Sequence, residues 1–253
     1  MNTISYHFKA ILKTFDLIVK GNYLLFFVPG LIISLFFIWL EYCASSVDGS
    51  IGYVSDYSWI NSIISYIDTG INKSLSILVY IIDQLYIFII LTVLSPFNTY
   101  LGEKLDSRLS GNQFKGGLIR FVNDFIRMVF VVIIALALEF AIMGVYAFFS
   151  WVLGFSFLNE YVYWVISAFF FGFSFYDFAL ERYETSVFGT LGFAFRKPLT
   201  MLLTGGLFML IYAIPYIGIP ISPVIILMVS TIVYLHHTKQ IKVQTELTLT
   251  HNE

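Results

Sequence analysis

From Leu118 to Phe157 the chain reads LIRFVNDFIRMVFVVIIALALEFAIMGVYAFFSWVLGFSF, an apolar run with Asn123, Asp124, Arg127 and Glu139 inside it. About 20 apolar residues at 1.5 Å each suffice to cross a bilayer, so this stretch is more than one span long. Working outward, Leu75–Pro96 is a second such run, interrupted by Asp83 and Gln84, and Tyr161–Leu180 is another. Leu24–Leu40 carries no charge and is flanked by Tyr23 and Tyr42. Lys9, Lys13 and Lys20 precede it like a signal-peptide n-region, but the run is too long and lacks a small-residue cleavage site, so it reads as an uncleaved span. Leu199–Ile214 and Ile221–Leu235 are shorter and are joined by Pro215, Gly218, Pro220 and Pro223 with no charge between them.

The fold class that follows is an all-α integral membrane protein. Its expected parts are four long transmembrane helices and a proline-rich re-entrant helical hairpin over Leu199–Leu235. Six spans satisfy the same pattern, since the last two segments read either as short spans or as a hairpin whose tip, Tyr212–Pro223, stays at membrane depth. The hairpin is the preferred reading, because a turn without charge does not suit a watery surface. Irregular backbone at that depth needs protein or water around it.

Composition agrees. Of 253 residues, 58% are hydrophobic and only 12% charged, and mean hydropathy is +0.84. A soluble domain carries about 25% charged residues, so an ordinary cytosolic enzyme and a disordered chain are excluded. With a net charge of −2 there is no basic field for nucleic acid. The single cysteine, Cys43, permits no internal disulfide and reads as a packing residue. One membrane domain over 1–253 is expected, with 1–22 as a cytoplasmic N-terminal segment and 236–253 as a polar cytoplasmic tail.

Lysine and arginine positions set orientation. All 14 basic residues except Lys73 fall before the first run, around the link between the second and third (Lys104 to Arg127), after the fourth, or after the last. That pattern places both termini in the cytoplasm. His7, His236, His237 and His251 fall on the same side, and none lies within a span. The outer loop, Glu41–Ile71, holds Trp59, Ile60, Ile63, Ile64 and Ile67 at helical spacing, an interfacial amphipathic helix.

No nucleotide loop, nucleophile elbow or metal-binding histidine pair is present, so no catalytic residue, metal or cofactor is assigned. The informative residues are polar ones inside the apolar runs. Asp83 lies ten residues past Lys73, about 15 Å deep, and Glu139 twelve past Arg127, about 18 Å deep from the opposite side. Both reach the midplane, where an ionised carboxylate costs several kcal/mol unless paired or hydrated. Either they are neutral and hydrogen-bonded within the protein, or they line an ion or proton pathway. Arg120, Asp124 and Arg127 share one helix face and, with Glu103 and Lys104, form a charge cluster at the cytoplasmic mouth. Asp83, Glu139 and Arg127 are therefore the pathway candidates.

Leu94-Ser95-Pro96-Phe97-Asn98, then Leu101-Gly102-Glu103-Lys104-Leu105, resembles the signature after the second helix of the CysZ-type sulfate permeases, whose domain is shared by the etoposide-induced protein 2.4 family. Tyr176–Tyr183, Phe188, Phe195-Arg196, Gly205 and the Pro215…Pro220…Pro223 break follow in the family's order. The resemblance implies half-inserted hairpins, homo-oligomers and sulfate uptake. It also implies an anion site before the proline of the first helix, here Pro29, which maps to Lys20, Gly21 and Asn22. The family's glycine is kept as Gly21, while its two arginines are replaced by Tyr23 and Leu24. The resulting expectation is a permease or channel for a small solute, such as an inorganic anion, in a bacterial inner membrane, with the lipid bilayer as its solvent. The alternative is a non-transporting membrane scaffold or assembly protein.

Overall fold

A computed structural model describes residues 3–21, 23–45, 75–113 and 118–238, with the side chains of 37, 40–45, 75–84 and 118–121 outside the description. The interfacial helix expected over residues 59–67 lies outside the described residues, as do Asn22, Lys115, His251 and the side chains of Cys43, Asp83, Gln84 and Arg120.

Every regular element among the described residues is helical. The order is α1 Thr3–Lys20, a 3-10 turn Leu24–Phe27, α2 Val28–Ser45, α3 Leu75–Ser110, α4 Leu118–Leu153, a 3-10 turn Ser156–Leu158, α5 Asn159–Glu181, α6 Val187–Arg196, α7 Pro198–Tyr212 and α8 Gly218–His237. Four segments are long and apolar enough to cross a membrane: Leu85–Ser110, Val122–Leu153, Ser156–Glu181 and Gly218–His237. α1 with α2, and α6 with α7 at a 100° bend, raise the number to six if each bent pair is one span.

The set of four differs from expectation in one member. The last apolar run, Ile221–Leu235, is about 15 residues long, but α8 has 20 and is roughly 30 Å long, enough for the hydrocarbon core. The irregular stretch shrinks from Tyr212–Pro223 to residues 213–217. Pro220 sits in the first turn of α8, where its missing N–H would have no helical partner, and Pro223 removes only one backbone bond. The tail expected from residue 236 likewise starts later, because His236 and His237 belong to α8. The Leu24–Leu40 run is also divided, since a 3-10 turn precedes α2, whose second residue is Pro29.

α8 is the hub, packed by α1, α2, α3, α5 and α7, with 94% of its apolar window buried inside the protein. For α4 the figure is 33%, and Phe130, Ile133, Val145 and Phe148 are left facing outward. That contrast puts α4 at the lipid-facing edge and α8 at the centre. The closest pair is α5 with α7. A Cβ on Gly205 would run into the Ala168 carbonyl, and one on Gly172 into that of Met201. Small residues thus let two backbones touch, the usual device for holding helices together in lipid. Around this contact Phe171 stacks on Phe88 at 4.9 Å, and Phe208 meets Phe171 and Phe175 at 5.1 and 5.0 Å.

Within the N-terminal segment, Thr3–Lys20 is a helix packed on the bundle. α1 docks His7, Ala10, Thr14, Leu17 and Ile18 against α7 and α8. His7 Nε2 lies 3.2 Å from Thr204 Oγ1, and Tyr6 stacks on His236 at 3.5 Å. A second stripe, Ile4, Phe8, Leu12, Phe15 and Val19, is apolar and exposed. With Lys9, Asp16 and Lys20 beside it, that stripe suits a helix lying in a bilayer surface.

Candidate functional site

α4 and α5 form an antiparallel hairpin whose polar side chains meet in rungs. At the end rich in basic residues, Arg127 donates from Nε and Nη2 to Asp177 Oδ2 and Oδ1 at 3.0 and 2.8 Å. This two-pronged fork is the strong form of an arginine–carboxylate contact. Glu181 Oε2 lies 4.0 Å from Arg127 Nε, and Asp124 sits within hydrogen-bonding reach of Glu181. One guanidinium thus faces three carboxyl groups. At the other end of the hairpin, Ser150 Oγ donates to Asn159 Oδ1 at 2.6 Å. Between them, Ser167 Oγ donates to Glu139 Oε1 at 2.6 Å, and Glu139 is fully buried.

A second network ties α3, α5 and α8. Asp106 Oδ2 accepts from Arg182 Nε at 3.3 Å and from the Tyr183 hydroxyl at 2.8 Å, and Oδ1 accepts from Ser110 Oγ at 2.6 Å. Arg182 also donates to Thr231 Oγ1 at 3.1 Å, and Asn112 donates to the Tyr183 hydroxyl at 3.3 Å. The Asp106 and Arg182 side chains are both fully buried. Gly102 is needed here, because a Cβ would collide with Arg182 Nη1. Burial, and then the bond to Asp106, push the Tyr183 hydroxyl above the usual phenol range.

The third group lies at the α1–α2 junction. Tyr23 is fully buried, Lys104 Nζ stands 5.3 Å from the ring centroids of both Tyr23 and Phe26, and Arg108 is 6.0 Å from Tyr23. A Cβ on Gly21 would lie 2.5 Å from Arg108 Nη1, so the glycine makes room for that guanidinium. Lys20, at the end of α1, pairs with Asp16 at 2.6 Å on the surface. The junction therefore sets two cations of α3, Lys104 and Arg108, against a buried aromatic ring, while the Lys20 ammonium stays with Asp16 on α1.

The expected cluster is therefore split. Arg127 and Asp124 do come together, but with Asp177 and Glu181 rather than with Glu103 and Lys104. Glu103 lies near Arg182, and Lys104 turns to the rings of Tyr23 and Phe26. The residues of the Pro96-Phe97-Asn98 signature lie inside α3, with Phe97 exposed and Asn98 buried. Asp106, Asp177, Glu181, Arg182 and Arg108 are not among the site residues expected from the sequence. Asp177 and Glu181, one turn apart at the end of an apolar run, were the available signal for the first network. Nothing in the spacing joins Asp106 to Arg182. Among the described residues no group of three His, Cys, Asp or Glu side chains is placed to hold a metal ion. In comparisons with known proteins, the chain matches no family model and no curated protein.

Proposed function

We propose that this chain is a permease or channel for a small inorganic anion, sulfate among the candidates, in a bacterial inner membrane with both termini cytoplasmic. The observation that carries the reading is the convergence of Lys104 and Arg108 on Gly21 and Tyr23, next to Lys20 in the chain. Charge-assisted donors are what a dianion requires, and arginine supplies several in a fixed fork. The two arginines that the resemblance would place on the first helix are absent, but α3 brings Lys104 and Arg108 to the same turn. The lysine and arginine bias supports the orientation, because the cationic turn then faces the cytoplasm.

Calorimetry of purified protein with sulfate, phosphate and chloride tests the site. At least one anion is expected to bind, and Lys104→Ala with Arg108→Ala is expected to weaken it. Losing a hydrogen bond to a charged group costs roughly 1.5–3 kcal/mol. Two such losses correspond to about a hundred-fold or more in affinity. Equal affinity in parent and double variant would reject the site. A non-transporting scaffold is the alternative, and it predicts no anion flux in any vesicle preparation.

A further inference from the structure

Glu139 belongs to no ion pair among the described residues. Its Oε1 accepts from Ser167, and its Oε2 has no hydrogen-bond partner there, although the side chain is fully buried. Ser167, with Tyr163 one turn away, faces it from α5, and Met143 and Tyr146 follow it on α4. No basic side chain on α4 or α5 is near, since Arg127 is twelve residues away, about 18 Å along the helix. α3 also packs on α4 and carries Asp83, whose side chain lies outside the described residues. An ionised carboxylate so placed would lack a counter-charge in a low-dielectric interior. A carboxylic acid suits the same geometry, with one oxygen accepting from Ser167 and the other holding the proton.

The acid is not isolated. Glu139, Tyr146 and Ser150 fall seven and four residues apart, on one face of α4. Across the seam stand Ser167, Tyr163 and Asn159 of α5. The rings of Tyr146 and Tyr163 meet edge to face at 5.9 Å, and Ser150 is bonded to Asn159. This polar stripe leads from Glu139 to the α4–α5 turn, away from the Arg127–Asp177 end, inside an otherwise apolar hairpin.

We propose that Glu139 is an exchangeable proton-binding site, reached along the Tyr146–Ser150 stripe from the α4–α5 turn. In the exchange, the Oε2–H bond breaks as the proton passes to a water or hydroxyl oxygen in the stripe, and the reverse transfer restores it. Ser167 keeps donating to Oε1 and stabilises the transient carboxylate. The site is separate from the cationic turn and stands whether or not an anion passes there.

Infrared spectroscopy of the full-length protein in lipid vesicles tests this. A carboxylic-acid carbonyl band, retained in Asp83→Asn and missing in Glu139→Gln, is expected to shift on transfer to D2O. Tyr146→Phe with Ser150→Ala is expected to slow the shift by roughly tenfold or more. If Glu139→Gln does not fold, N,N′-dicyclohexylcarbodiimide on the parent protein gives a variant-free readout. The acid O–H adds across a C=N bond of the reagent, and a Glu139 adduct is expected by peptide mass spectrometry. An ionised Glu139, a band that never shifts in D2O, or no adduct overturns the proposal. An unchanged exchange rate in the double variant overturns the stripe as its route.

Discussion

Replacing Asp106 by alanine should destabilise the fold more than any other single charge deletion among these networks. The Asp106 and Arg182 side chains are fully buried, and Arg182 also donates to Thr231, with Glu103 nearby. Removing one partner of a buried pair leaves the other charge uncompensated, at a cost of about 3–5 kcal/mol. The Tyr183 hydroxyl loses its acceptor as well, while Ser110 can keep its bond to the Asp106 carbonyl. At about 1.4 kcal/mol per decade, the folded-to-unfolded ratio should fall roughly hundred- to few-thousand-fold. The control is Asp106→Leu with Arg182→Met, which removes both charges and fills the space with apolar atoms. Replacing a buried pair in this way is often neutral or stabilising, so the double variant should recover most of the loss. Equilibrium unfolding in mixed micelles, followed by tryptophan fluorescence, measures both. A single variant within about 1 kcal/mol of the parent, or a double variant no more stable than the single, would refute this view of the network.

Arg127→Lys keeps the charge but loses the fork to Asp177, and should cost about 1–2 kcal/mol in the same titration. Gly205→Ala should cost about 1–3 kcal/mol, because the new methyl meets the Ala168 carbonyl; Gly144→Ala, with open space around it, should gain up to about 1 kcal/mol. For the α7–α8 tip, Ile217→Cys is the better probe than Gly218→Cys, since a Cβ on Gly218 would strike the Tyr212 carbonyl while Ile217 is exposed. If the hairpin is re-entrant, an impermeant thiol reagent outside intact cells should leave Ile217→Cys and Thr245→Cys unlabelled.

The long helices were legible because apolar runs longer than a bilayer is thick leave little choice. α3 and α5 contain the runs that announced them, and α4 takes up its run as far as Leu153. Glu139 was legible for the same reason, as a lone carboxylate deep inside such a run. The limits of α8 were not, because prolines read as breakers when they sit where a helix can start. The docking of α1 was hidden as well: its apolar residues occupy two stripes, one toward α7 and α8 and one outward, and a sequence does not say which is covered. The fork between Arg127 and Asp177 joins residues 50 apart, and the bond between Arg182 and Asp106 residues 76 apart. Such pairings come from helix register rather than from local spacing. The supply of Lys104 and Arg108 to the Gly21 turn is tertiary in the same sense.

The most direct test of anion permeation is uptake of labelled sulfate, with phosphate and halide in parallel, into sealed vesicles containing the purified protein. The account predicts that at least one anion enters faster than into protein-free vesicles, and that Lys104→Ala with Arg108→Ala abolishes the difference while Gly144→Ala leaves it intact. Uptake no faster than into empty vesicles for every anion, from protein that is folded and correctly inserted, would contradict it.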